Sequence, residues 1–340
     1  MKSRKELRTL IPAALGIAVL ILDGSTAING ARTGLELCLQ TILPTLFPFL
    51  FLSSILTSSL SVTNQKCGRV LCLLYGIPRG SEGILLTGLL GGYPVGAKCI
   101  GEAVVARQLS NEDGERMLVF CNAAGPAFLF GITGSIFSQR WVPWCLWGIH
   151  LLSGLCVARL LRKDAINAVK PISMPRPPIT LQLRGSIRVM GEICGWVILM
   201  RTIITVAQKW CLCYLPVPLQ ILATGILELS NGCISLAQVQ NPGLRFLLCS
   251  VLLGFGGLCV LLQTRSVASV VSQRKYLPGK CLQAMISFIA AYTAQYLIFD
   301  SNQRVSLPWL LYLAILALFV ILIYLQMKQK NGGILVNDGV

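Results

Sequence analysis

Apolar runs long enough to cross a membrane alternate with short basic segments along most of the chain. The first covers residues 10–22 behind Lys2, Arg4, Lys5 and Arg8. The second, residues 35–56, holds Pro44 and Pro48, which should kink it or split it near the middle. Residues 61–82 are only moderately apolar and carry Lys66, Arg69 and Arg79, which suits a helix lying in the cytoplasmic interface. Further runs at 117–137, 141–161, 187–208, 246–263, 281–299 and 309–325 read as spanning helices. The pattern predicts an all-α polytopic membrane protein with about eight spans.

Two more runs, 83–105 and 221–240, are apolar but interrupted. The first contains Gly91-Gly92-Tyr93-Pro94-Val95-Gly96-Ala97-Lys98 and the second Glu228-Leu229-Ser230-Asn231-Gly232. A helix in lipid must satisfy its backbone internally, so such breaks belong where protein or a water-filled cavity surrounds them. Each run is therefore read as two half-helices. Pro94 fits the first turn of the second half-helix, whose unpaired amides favour anions and polar groups. Close helix packing alone would also use glycines, but Pro94 and Lys98 go beyond what packing needs. A further break, Asn122-Ala123-Ala124-Gly125-Pro126, falls inside the run at 117–137. Ser110 with Asp113 offers a capping box for the helix that leads to it.

Composition narrows the class. Hydrophobic residues make up 54% of the chain and charged ones 12%, and the mean hydropathy is +0.71, values outside the range of a soluble domain. The net charge of +16 lies in short segments between apolar runs, so it is a topology signal and not a nucleic-acid surface. Fourteen cysteines and one histidine include no CxxC pair, which supports neither a zinc site nor a disulfide framework. Hydrolase, zincin and nucleotide-loop motifs are missing, so the expectation is a non-enzyme with no cofactor and no metal. His150, inside a span, is read as a hydrogen-bonded interior residue. Ser25-Thr26-Ala27 has the small residues of a cleavage site, but an uncleaved first span serves equally well.

The halves of the chain match weakly. Ile84-Leu-Leu-Thr-Gly88 resembles Ile221-Leu-Ala-Thr-Gly225, and Arg116-Met-Leu-Val resembles Arg245-Phe-Leu-Leu, with Gly125 and Gly254 each nine residues on. Two matches in one order favour duplication. The basic, proline-rich segment 162–184, with Arg176 and Arg184, is cytoplasmic only if residues 83–105 dip into the membrane and return. The same reasoning places both termini and the segment from Arg265 to Lys280 in the cytoplasm. It makes the halves inverted repeats with two re-entrant hairpins. The expected organisation is an N-terminal helix (1–29), a first repeat (30–161) with hairpin 83–105, a linker (162–184), a second repeat (185–264) with hairpin 221–240, and C-terminal helices with a tail (265–340).

These motifs, together with Glu115 and Arg116 and with Cys121 before the second break, resemble the sporulation integral membrane protein YlbJ family, whose members carry a nucleoside recognition or Gate domain. The likeness covers roughly residues 30–265 and is strongest at Gly91 to Lys98. It implies a cell-membrane protein of a spore-forming bacterium, in the mother-cell membrane, required for forming the spore cortex. Related Gate repeats occur in concentrative nucleoside transporters and in the ferrous-iron transporter FeoB. Ala123 and Ala124 make the second break less polar than the pattern suggests.

The candidate ligand-binding residues are Gly92, Tyr93, Pro94, Gly96 and Lys98 at the first tip, Asn122, Gly125 and Pro126 at the next break, and Glu228, Ser230 and Asn231 at the second tip. Lys98 either neutralises Glu102 one turn on or serves a ligand. Asn122 offers its amide to a freed carbonyl or to a solute. An unpaired Glu228 would cost about 2.5–3.5 kcal/mol on insertion scales, so Lys98 from the facing tip, a coupling cation or a proton should offset it. Glu192 and Arg201 are too far apart on a straight helix to pair. The expected partners are the lipid bilayer, a small polar or anionic solute and other spore-envelope proteins, with no nucleic acid. A non-transporting assembly factor is the alternative reading.

Overall fold

The computed structural model describes residues 2–60, 65–162 and 178–306. The expected span at 309–325 and most of the basic linker, Arg176 included, lie outside the described residues. Among the described residues six helical stretches are long and apolar enough to cross a membrane: Gly24–Leu52, Asn111–Ser135, Val142–Leu160, Ile179–Trp210, Pro242–Val267 and Tyr276–Ile298. The chain is an all-α, largely membrane-embedded protein.

Helix α1 (Lys2–Leu22) stops at Asp23, and α2 (Gly24–Leu37) passes through a π-helical turn, Cys38–Ile42, into α3 (Leu43–Leu60). The second span therefore starts at Gly24 rather than near residue 35. It does not split at Pro44 or Pro48, because the π turn bonds Leu43 N to Cys38 O and absorbs the register change ahead of the prolines. Helix α4 (Gln65–Tyr75) buries Cys72 and Tyr75 and exposes Leu73 and Leu74, the amphipathic form expected there.

A hairpin of α5 (Glu82–Gly91) and α6 (Val95–Val105) follows, then α7 (Asn111–Cys121), α8 (Pro126–Ile132) and α9 (Val142–Leu160). Ser110 caps α7, accepting from Asp113 N at 3.0 Å. Helix α10 (Ile179–Trp210) begins directly after Pro178, so Arg184, expected in the linker, lies on a helix. A second hairpin, α11 (Val217–Leu227) and α12 (Leu229–Ser235), precedes α13 (Pro242–Phe255), α14 (Leu258–Val267) and α15 (Tyr276–Ile298).

Both halves thus run from a hairpin into a capped helix broken midway. Asn241 caps α13 through Leu244 N at 2.8 Å. The run at 246–263, expected to be continuous, breaks at Gly256 (φ +83°) and Gly257 (φ +87°), conformations that only glycine adopts at little cost. Gly254, aligned with Gly125 in sequence, lies inside α13, and the N-cap position that Gly125 holds for α8 is held for α14 by Gly257. The matched arginines do similar work. Arg116 Nη1 donates to Gly76 O at 2.6 Å and Arg245 Nη1 to Ile136 O at 2.7 Å, each holding an upstream carbonyl.

Helix α2 lies on α10 through Gly30 and Gly34. A methyl at either would come within 2.9 Å of an α10 backbone carbon, Thr202 Cα or Ile198 Cα, so this is a small-xxx-small seam. Helix α3 packs on α5, α8 and α10. Around this frame one buried cluster joins α5, α6 and α7 to α9 and α15, and another joins α8 and α9 to α11, α12, α13 and α15. Leu35, Leu39, Leu52, Leu199 and Ile203 face outward, as a lipid-facing surface requires.

Candidate functional site: three helix breaks around a cavity

The first break forms because Gly92 takes φ +71° and ends α5, while Pro94 stands at the N-cap of α6, one place before the first turn where the sequence puts it. Bare backbone lets this tip seat against the second break. A methyl at Gly92 would come 2.8 Å from Gly125 N, and methyls at Gly88 or Gly96 would run into the carbonyl of Cys121. Tyr93 N donates to Ala123 O at 3.0 Å, so the two breaks share a backbone hydrogen bond.

The second break is held from behind. His150 Nε2 accepts from Ala124 N at 3.0 Å, and the Asn122 side chain donates to Thr264 Oγ1 at 2.7 Å and to Tyr276 OH at 3.0 Å. Asn122 is therefore a tie between α7, α14 and α15. Its Oδ1 remains buried without a partner. Pro126 opens α8, where its missing N–H costs nothing.

At the second tip Glu228 is the N-cap of α12. Its Oε1 accepts from Ser230 N at 3.0 Å, and its Oε2 accepts from the backbone N–H and the side-chain amide of Asn231, both at 2.7 Å. These neutral donors supply the compensation that the sequence reading sought from Lys98. Lys98 Nζ instead lies 3.9 Å from Glu102 Oε1 on an exposed face. Among the described residues no basic nitrogen comes within 4.0 Å of Glu228.

The hairpin tips line a partly open cavity of about 40 Å³, room for roughly three waters. Its polar wall is the backbone of Gly91, Gly92 and Gly125 with Tyr93, Glu228, Ser230 and Gln263. The apolar wall comes from α3 (Leu46, Leu50), α8 (Phe128), α10 (Ile193, Val197) and α14 (Val260). The Tyr93 hydroxyl is buried with no partner. Of the candidate residues, Gly92, Tyr93, Gly125, Glu228 and Ser230 meet at this cavity. Pro94, Gly96, Asn122, Pro126 and Asn231 shape or brace its walls, and Lys98 lies apart.

Sequence reasoning missed several groups. Lys280, expected in a cytoplasmic segment, is 1% exposed on α15 and donates to Gln283 Oε1 at 3.1 Å. In the sequence Gln263 only ends an apolar run, whereas in the fold it lines the cavity. Glu192 pairs with Arg188 at 3.3 Å, one turn away on the same helix, and not with Arg201. Arg201 itself lies on the α2 seam, its Cβ 3.1 Å from where a methyl on Gly34 would sit, and is not part of the cavity wall. Among the described residues no group of three or more His, Cys, Asp or Glu is placed to hold a metal ion.

The chain is 22% identical over 239 residues to the sporulation integral membrane protein YlbJ of Bacillus subtilis (strain 168), a match covering 58% of this chain and 59% of that relative. The likeness is a weak, partial homology to the YlbJ sporulation membrane proteins. No family model matches the chain, and no solved structure matches it.

Proposed function

We propose that this is a multi-pass cell-membrane protein of sporulation that moves, or gates the passage of, a small polar solute needed for the spore cortex. The observation that carries the reading is the meeting of three helix breaks at one cavity with a buried carboxylate, because irregular backbone at membrane depth belongs where it lines a solute path. The parallel order of elements in the two halves supports an inverted repeat of Gate type, with eight spans, two re-entrant hairpins and cytoplasmic termini. The distant relation to YlbJ supports the sporulation setting, in the mother-cell membrane. The site binds and releases without covalent chemistry, and other spore-envelope proteins are its proposed neighbours.

The test is the heat resistance of spores that carry Glu228→Gln together with Tyr93→Phe at matched membrane abundance. Loss of resistance is expected. Fully resistant spores would overturn passage through the tips and favour a non-transporting assembly role, in which case charge reversal at Arg184 becomes the damaging change.

A further inference from the structure

Among the described residues that line the cavity Glu228 alone bears a formal charge, and we infer that the cavity binds a small monovalent cation, an alkali ion or an ammonium, against that carboxylate. This rests on the tip cavity being the solute site, and it names the ion that the site takes.

Glu228 is 3% exposed and lines the cavity. Its hydrogen bonds come from Ser230 N, Asn231 N and the Asn231 side-chain amide, all neutral donors, so they hold the carboxylate in place and leave its charge unbalanced. No lysine, arginine or histidine is among the described residues that line the cavity, and none brings a nitrogen within 4.0 Å of the carboxylate. A low-dielectric wall that carries one sign of charge favours the opposite sign in the space beside it.

The other polar groups of the wall suit the same occupant. Oε2 of Glu228 accepts both Asn231 bonds and Oε1 the Ser230 N–H, so Oε1 is the oxygen with capacity left. The Tyr93 hydroxyl is buried without a partner. Gln263, 5% exposed, gives its Nε2 to Cys259 Sγ at 3.5 Å, which leaves its carbonyl oxygen to offer. Carboxylate, phenol and amide oxygens are hard ligands for a metal cation and acceptors for an ammonium. An anion in the same space would face Glu228 with no positive group to hold it, and a neutral solute would leave the charge unbalanced. The valence follows from the wall as well. Calcium gathers about six to eight oxygens and magnesium keeps several waters, more than one carboxylate and a space of about 40 Å³ provide. Among the described residues no three His, Cys, Asp or Glu come together to hold such an ion.

The probes are sodium chloride and methylammonium chloride, set at equal ionic strength against N-methylglucamine chloride, whose six-carbon cation is too large for the space. Thermal unfolding of the full-length protein in lipid nanodiscs reports binding, because a ligand of the folded state raises Tm. Sodium or methylammonium should raise Tm in a saturable way where N-methylglucamine does not, and the larger of the two shifts tells a metal ion from an ammonium. Glu228→Gln should raise the half-saturating concentration about tenfold or more, while Lys98→Met leaves it unchanged. Tyr93→Phe, which keeps the charge and removes one oxygen, should give a smaller rise and covers failure of Glu228→Gln to fold. Equal shifts with all three chlorides, or a sodium or methylammonium shift indifferent to both cavity variants, would overturn the cation. A Glu228-dependent shift on exchanging chloride for acetate, with N-methylglucamine held constant, would overturn the cation and leave the site standing. No shift with any salt would overturn the cation alone, since the spore assay judges the site independently.

Discussion

Glu228 and Asn231 are joined twice, since one carboxylate oxygen accepts from both the backbone N–H and the side-chain amide of Asn231 at 2.7 Å. The acid that faces the cavity is therefore also the residue that starts α12. Removing it tests the cap and the cavity together, so the substitutions must separate them. Glu228→Ala should cost about 1 kcal/mol through loss of the cap. Glu228→Gln keeps an acceptor oxygen and should cost less. Reversible unfolding in mild detergent measures both, and equal losses would contradict the capping role.

Lys98→Met should change neither stability nor spore heat resistance measurably. Its partner is Glu102 at 3.9 Å, with side chains 46% and 60% exposed, and such pairs contribute about 0–1 kcal/mol. A large loss in either readout would return Lys98 to the site.

Gly92→Ala should lower membrane abundance and Tm. Gly92 combines φ +71° with ψ −170°, a region used almost only by glycine and costing another residue roughly 1–3 kcal/mol, and the added carbon meets Gly125 N at 2.8 Å. Gly134→Ala is the control, since nothing lies within 4 Å of a methyl there. Equal behaviour of the two variants would argue against the seated tip.

Asp23 ties the α1–α2 junction to the end of α10. Lys209 Nζ donates to it at 2.8 Å and Trp210 Nε1 at 3.0 Å, and these bonds hold its carboxyl at about 2, below the ordinary 3.8. A carboxylate lowered in the folded state stabilises above its unfolded value, and that contribution fades as pH falls from about 3.8 through about 2. Unfolding followed from pH 5 to pH 2 should show a smaller loss of stability in Asp23→Asn than in the parent protein. An unchanged pH profile in the variant would remove the tie.

Single cysteines at Ser110 and Gln273 in an otherwise cysteine-free variant should both react with a membrane-impermeant thiol reagent applied to the cytoplasmic side only. Labelling of Ser110 from the opposite side would require α5 and α6 to cross the membrane completely.

What could be read from the chain was whatever glycine and proline write into an apolar run. The breaks at Gly92 and Glu228 stand out because polar or helix-breaking residues interrupt hydrophobic periodicity. The break at Gly256 and Gly257 does not, because glycines are equally at home in packed membrane helices and only the sign of φ separates the two uses. Lys98 was placed against Glu228 because spacing gives a helix face but not its neighbour. Lys280 passed for a loop residue because the apolar run begins only beside it, although burial extends one turn further. The seam at Gly30 and Gly34 fell across the boundary drawn between the first two expected helices.

The two hairpins are fitted to their broken partners differently. Gly88, Gly92 and Gly96 offer a flush surface to Cys121 and Gly125, with no side chain to unlatch. At the second hairpin Leu252 sits as a tooth in the notch of Gly225 and Gly232, 3.2 Å from where a methyl on Gly232 would lie. Sliding the first arm along α7 strains the Tyr93 to Ala123 hydrogen bond and shifts the side chains that α5, α6 and α7 bury together, whereas sliding the second must also lift Leu252 clear of its two glycines. Where the first tip meets its partner through bare backbone and the second is keyed by Leu252, amide exchange across residues 92–96 should run ahead of that across 228–232.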